Sequence, residues 1–596
     1  MGGSKILKKI GHKDTKEHKY LSATSCLRAL VAKKNNMKKI LLIITLVVSL
    51  SSTAQQTYTN PILSGFYPDP SICRVGNDYY IVTSSFAYFP GLPIFHSKDL
   101  VNWEQIGHAM DRREQLDLKG AGVSRGLFAP TIRFHNRIYY IICTLIDKGG
   151  NFVITATDPK GPWSDPAWLP QVNGIDPSLY FDDNDKAYVL FNSIPPNNIS
   201  MHDGHRTIRM FEFDAINLKV TGEEKLLING GTDMAKKPVW IEAPHIFKKD
   251  GWYYLICAEG GTGYNHAEVV FRSRTIDGPY ISYEKNPILT QRHLSRSRKN
   301  PITTTGHADF VETTAGKWYA VFLGCRPYDD DHYNIGRETF MTPVEWKDGW
   351  PLINPGFEEV QYRYPVPLPG LTKKVDNNFN GNFLFKDEFN KGQLNYRWEF
   401  LRAPEENWYS LIEKKGSLSV KLLPQTCSGK ENPAFVGFRQ QHLKGYAAAS
   451  IDFKAAAENE KAGLMIFQNE THFYFLCQSV QNNTPTVELY RSIANDKDGK
   501  MVLLQSGSLP FLKDELQLKI EARGNAYAFY YATQKGEWNL LKDAVDAKFL
   551  STKTAGGFVG SMYTLYATSN GKKTSNKVYF SWFETKSDDE LYKIKK

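Results

Sequence analysis

The chain has 596 residues, with 73 Lys and Arg against 63 Asp and Glu, a formal net charge of +10. Residues 1–54 hold 11 of the basic residues and only two acids, Asp14 and Glu17, so the remainder is almost neutral. A nucleic-acid binder carries its basic surface on the folded domain, which excludes that class, and 41% hydrophobic residues exclude a disordered chain.

Met37-Lys38-Lys39 leads into an apolar run from Ile40 to Leu50 and then the small residues Ser52-Thr53-Ala54. This is the pattern of a secretory signal peptide, and the run is too short to span a bilayer, which takes about 20 residues. The expectation is a signal over 37–54 cleaved after Ala54, within an N-terminal extension 1–54. Residues 1–36 would then precede the true start. The mature chain would be periplasmic or secreted, without a membrane anchor. A basic amphipathic N-terminal arm is the alternative. The cysteines at 26, 73, 143, 257, 325, 427 and 477 form no CxxC, and most fall in apolar runs, so they read as small buried thiols.

From Asp69 onward one pattern recurs five times: a Pro- or Ala-containing entry, an apolar strand, a polar turn and a Tyr/Trp-rich strand. The copies are "DPSICRVGNDYYIVTS", "APTIRFHNRIYYIICT", "DPSLYFDDNDKAYVLFN", "APHIFKKDGWYYLICAEG" and "HADFVETTAGKWYAVFLG". Their second residues, Pro70, Pro130, Pro177, Pro244 and Ala308, lie 60, 47, 67 and 64 apart. Four-strand units repeated at this spacing read as blades of a propeller. The fold class is therefore all-β: a five-bladed β-propeller over 55–365, a Pro/Gly/Asn-rich linker over 366–382, and strand-rich sequence over 383–596 that suggests a β-sandwich.

In a propeller the first strand of each blade lines the central channel, so residues at the strand entries meet around the axis. Asp69, Asp176, Glu242 (immediately before Ala243-Pro244) and His307 occupy these entries. A lone Asp-Pro is an ordinary turn or strand start. Three acids converging in one funnel repel one another, which costs stability unless a ligand, metal or reaction uses them. Two uses fit: a hard cation held by oxygen ligands, or glycoside hydrolysis by a pair of carboxyls. The aromatics Phe86 and Phe128 near the first two entries suit stacking on sugar rings and favour the second use.

The run "NPILSGFYPDPSICRVGNDYYIVTSSFAYFPGLPIFHSKDLVNW" is similar to the opening of glycoside hydrolase family 43. The segments "GLFAPTI", "GIDPSLYFDD", "WIEAPHIFKKDGWYYL", "TGHADFVET" and "IGRETFMTPVEW" agree in order. The resemblance implies Asp69 as general base, Glu242 as general acid, and Asp176 as the group that raises and orients the acid. It also implies inversion, with base and acid separated by roughly 6.5–9.5 Å, and Phe86, Phe128 and Arg337 as sugar contacts. Arg337 has a competing reading, a surface ion pair with Glu338 or another acid. His307 matches an axial histidine that contacts sugar and that in some members coordinates calcium or its water. No cofactor is required on this reading and no metal ligand is assigned; calcium at His307 is one option, a structural hydrogen bond from it the other. The stretch 193–208 is longer than the family leads one to expect and is a candidate wall of the pocket, and the basic run 292–299 reads as a solvated loop. "DEFNKGQLNYRWEFLRAP", "ENWYSL", "AFVGFRQQH" and "AGLMIFQNE" resemble the concanavalin-A-like domain that follows such propellers, where it would bind sugar or, the favoured role, close one side of the pocket.

The implied activity is exo-hydrolysis of terminal β-D-xylose or α-L-arabinofuranose from plant cell-wall hemicellulose oligosaccharides. The alternatives are a non-catalytic carbohydrate-binding propeller, a calcium-stabilised scaffold, and an endo-acting arabinan or xylan hydrolase. A fructosidase-type hydrolase lacks support, because "NDPNG" and "RDP" do not occur.

Overall fold

The computed structural model describes residues 56–368, 379–496, 499–509 and 514–593. The chain divides into units 1–57 and 58–596, and the architecture below is that of the second. The leader and most of the linker lie outside the described residues.

Five antiparallel sheets follow one another in chain order, each opening on an inner strand: Ser71–Val75, Thr131–His135, Ile175–Phe181, Glu242–Lys249 and Thr303–Glu312. Each blade has four strands in sequential order, and blade four adds the short strand Leu289–Thr290 against Ala267–Ser273. Two-residue turns explain several of the hairpins. Asn136-Arg137, Asp250-Gly251 and Asp348-Gly349 all have positive φ, the requirement of the type I′ turn that matches strand twist. Inner strands of neighbouring blades meet around the axis. Tyr58 and Asn60 tie the start of this unit to blade five through the Met341 carbonyl.

The second region is a sandwich of two eight-stranded sheets. Along His472–Gln481 the side chains alternate as a strand with two buried faces must. Tyr474 and Leu476 point between the sheets, while Phe473, Phe475 and Cys477 join a cluster with Phe66, Phe86, Tyr88 and Val123 of the propeller. The contact extends to the backbone. Tyr88–Phe89, from blade one's connection, pairs with Glu399–Leu401 as the last strand of a sandwich sheet. At the described edge of the linker, Val366, Leu368 and Phe379 pack with Tyr67 and Phe95. The six cysteines from 73 onward are free and buried, in keeping with the small-thiol reading.

Candidate active site

Backbone geometry at the blade entries aims the side chains. Asp69, Asp176, Ala243 and His307 all have φ between 51° and 56°, and pairing registers shift at the entries of blades three, four and five. Bulges of this kind re-aim a side chain that regular pairing would turn elsewhere, and left-handed backbone at non-glycine residues is strain that functional sites hold. The shared conformation also corrects the expected equivalence. Ala243 is the counterpart of Asp69, Asp176 and His307, and Glu242 stands one residue earlier, as Phe128 does before Ala129 in blade two.

A cavity of about 390 Å³ opens here, and all seven residues singled out from the sequence border it: Asp69, Phe86, Phe128, Asp176, Glu242, His307 and Arg337. The three acids are at most 7% exposed, yet their environments differ. Asp69 accepts hydrogen bonds from Arg337 Nη1 at 2.8 Å and Ser84 Oγ at 2.5 Å. Burial, and then the charge of Asp69, push Asp176 up to about 7, against the opposing pull of Arg337. Burial, then Asp176 and Asp69, push Glu242 well above the usual carboxylate range. His307 Nδ1 is 3.8 Å from Asp69 Oδ1, and burial brings its imidazole down to about 4, so it is neutral near pH 7. Among the described residues, no group of three or more His, Cys, Asp or Glu side chains is arranged to hold a metal ion.

Two expectations need correction. Arg337 is not a surface ion-pair partner of Glu338. It is 5% exposed and turned to the axis, while Glu338 faces the other way and binds the buried Arg326. Successive strand residues point to opposite faces, so adjacency in sequence separated these two. The 193–208 stretch does not line the cavity. It supports the wall from behind, where the Gly204 carbonyl accepts from Trp240 N and Arg206 lies 3.8 Å over the Trp240 ring. In the 292–299 run, Arg292, Arg296 and Lys299 are exposed, as a solvated loop requires, and Arg298 pairs with Glu359.

Further lining residues were not anticipated. Trp240, Val239 and Thr262 form the wall beside Glu242, Arg125 stands at Phe128, and Phe558 arrives from the sandwich. Phe558 stacks on Phe86 at 6.0 Å and lies edge-on to Phe128 at 6.1 Å, with the Arg337 guanidinium 5.5 Å from its ring. Its backbone N–H donates to Ser124 Oγ. Close approach of two glycines permits this placement: a Cβ on Gly560 would fall 2.4 Å from the Ile335 carbonyl oxygen, and one on Gly336 2.8 Å from Gly560 N. The sandwich therefore supplies part of the pocket, the role the sequence suggested for it.

Below the acids, the channel is plugged. Asp309 accepts from Ser71 Oγ, Ile72 N and both Arg133 Nη atoms, and Arg133 Nη2 also reaches His245 Nδ1 at 3.0 Å. Against the cost of burial, Arg133 and His245 bring Asp309 down to about 2.

Three buried acids gathered in one propeller funnel, two of them raised above the usual carboxylate range and one paired with an arginine, are the groups that glycoside hydrolysis calls for. The comparisons agree, and the chain belongs to the glycoside hydrolases through family 43. The model described as "Glycosyl hydrolases family 43" matches residues 58–351, and "Beta xylosidase C-terminal Concanavalin A-like domain" matches 386–586. The chain is 39% identical to a xylosidase/arabinosidase of Butyrivibrio fibrisolvens, over 88% of this chain and 98% of that protein. It is 36% identical to the non-reducing end alpha-L-arabinofuranosidase BoGH43B of Bacteroides ovatus, over 92% and 99%. The crystal structure of a GH43_12 protein retrieved from capybara gut metagenome superposes with a TM-score of 0.80 at 40% identity, covering 87% of this chain and 96% of that one.

Proposed function

We propose that this glycosidase removes terminal β-D-xylose or α-L-arabinofuranose from hemicellulose-derived oligosaccharides, with inversion at the anomeric carbon. The observation that carries the reading is the different surroundings of two carboxyls in one pocket. Asp69, which accepts from Arg337 and Ser84, serves as the base that takes a proton from water. Glu242, pushed upward by burial and by Asp176, holds its proton more tightly than an ordinary carboxyl and gives it to the leaving oxygen. Asp176 acts on the acid through its charge. A small cavity plugged beneath and capped by Phe558 suits a single terminal sugar rather than the middle of a chain, which favours exo over endo cleavage. The printed names of the relatives above, xylosidase/arabinosidase and arabinofuranosidase, support both pentoses. The mechanism needs no resident metal, and His307 serves as a neutral hydrogen-bonding neighbour of Asp69. The leader 37–54 supports a periplasmic or secreted enzyme.

The test uses p-nitrophenyl β-D-xyloside and α-L-arabinofuranoside, with and without chelator, while proton NMR follows the first-formed anomer. Hydrolysis of at least one substrate, unaffected by chelator and giving the inverted sugar, is expected. Activity on neither sinks the pentosidase assignment. A retained anomer sinks the division of labour between Asp69 and Glu242.

A further inference from the structure

Trp240 is anomalous in three ways. Its φ is 57°, a left-handed conformation that a bulky side chain adopts only when its surroundings impose it. Both neighbouring loops do impose it. Trp240 N donates to the Gly204 carbonyl on one side, and the Val239 carbonyl accepts from Gly260 N on the other. The ring is also backed by a cation: the Arg206 guanidinium lies 3.8 Å from its centroid. Arg206 makes no ion pair among the described residues, and its Nη1 donates only to the His205 carbonyl. The loop that carries it is held in turn, with His205 bonded to Asn229 and stacked on His202.

The position of this pair gives it meaning. Trp240 borders the cavity two residues before Glu242, and its indole N–H reaches the Glu242 carboxyl. A general acid must lie against the glycosidic oxygen it protonates. Whatever is bonded to that oxygen on the leaving side therefore passes the Trp240 ring. Val239, 45% exposed, continues the apolar surface outward. A rigid aromatic face backed by a cation is suited to the apolar face of a pyranose ring.

From this geometry we infer that Trp240, held by Arg206, is the platform for the first sugar of the leaving chain, and that the 193–208 stretch sets leaving-group specificity through this pair. The inference rests on the glycosidase reading of the pocket and adds which part of the substrate the enzyme selects. It also gives the 193–208 stretch a role behind the wall that its absence from the cavity lining would otherwise leave open.

The experiment measures binding to the Glu242→Gln protein by calorimetry, with xylotetraose, an arabinofuranose-capped xylotriose, and the free monosaccharides xylose and arabinose. Adding Trp240→Ala is expected to weaken the better tetrasaccharide about tenfold, with monosaccharide affinity unchanged. Trp240→Gly, for which a φ of 57° carries no strain, should behave alike and guards against misfolding. Arg206→Ala should cost about threefold, and Trp240→Phe should restore most of the affinity. In otherwise wild-type enzyme, the same variants should raise KM for the oligosaccharide more than for the p-nitrophenyl glycoside. Equal weakening of tetrasaccharide and monosaccharide, or no weakening of either, overturns this inference and leaves the function standing. Failure of every sugar to bind Glu242→Gln overturns the reading of the pocket and this inference with it.

Discussion

In the upper layer of the channel only Asp69 of the three carboxyls accepts from the Arg337 guanidinium, whereas deeper in the same channel Asp309 accepts from a guanidinium, a hydroxyl and a backbone N–H. The two layers are built on the same strands: Ser71 follows Asp69 by two residues, Asp309 follows His307 by two, and His245 follows Glu242 by three. Their electrostatics are opposite. Below, positive partners outweigh the cost of burial and hold Asp309 down to about 2. Above, burial and mutual repulsion win, with Asp176 raised to about 7 and Glu242 higher than usual. A satisfied buried charge serves to join blades. An unsatisfied one, with its pKa displaced, is the kind of group that acid–base chemistry uses.

The sharpest way to break the upper layer is Glu242→Gln, which leaves size and shape intact but removes the transferable proton. A loss in kcat of about 10²–10⁴-fold on an oligosaccharide is expected, with little change in melting temperature. A kcat within a few-fold of wild type would place the acid elsewhere.

The lower layer should fail in the reverse sense. Arg133→Met leaves Asp309 as a buried charge without its main partner, which typically costs about 3–5 kcal/mol. Denaturant unfolding should register that loss, while the pH optimum of the remaining folded enzyme stays close to wild type. An unchanged unfolding midpoint would show that the network is not a blade clamp.

Asp176→Asn probes the comparison most finely. The charge of Asp176 raises the Glu242 pKa, so removing it must lower that pKa, and Glu242 then loses its proton at lower pH. The alkaline limb of kcat/KM should move down in pH, whereas the same limb should stay in place for Arg133→Met. An upward shift would reverse the assigned sign.

How much of this was legible in the sequence follows from which parts repeat. The blade entries recur five times, and the repetition places Asp69, Asp176 and His307 in one channel although 238 residues separate the first from the last. Glu242 was located by its motif, and its one-residue offset from the others emerges only from the φ angles and bulges. Arg337 beside Glu338 was ambiguous because the sequence shows neighbours and not faces. Phe558 had no signal of its own: it lies outside the repeat, and its place depends on the Gly336–Gly560 approach between regions far apart in the chain. Trp240 stood within a recognised motif, but its strained backbone and its cover by Arg206 come from loops on either side.

The plug of Ser71, Arg133, His245 and Asp309 also determines the order of events after a bond is cut. A channel sealed at the bottom has one door, and the freed sugar sits behind the remainder of the chain that brought it in. The shortened chain has to leave before the monosaccharide can follow. On the exo reading proposed above, each turnover would then be a separate encounter, and the expected mode is distributive, without sliding along a chain.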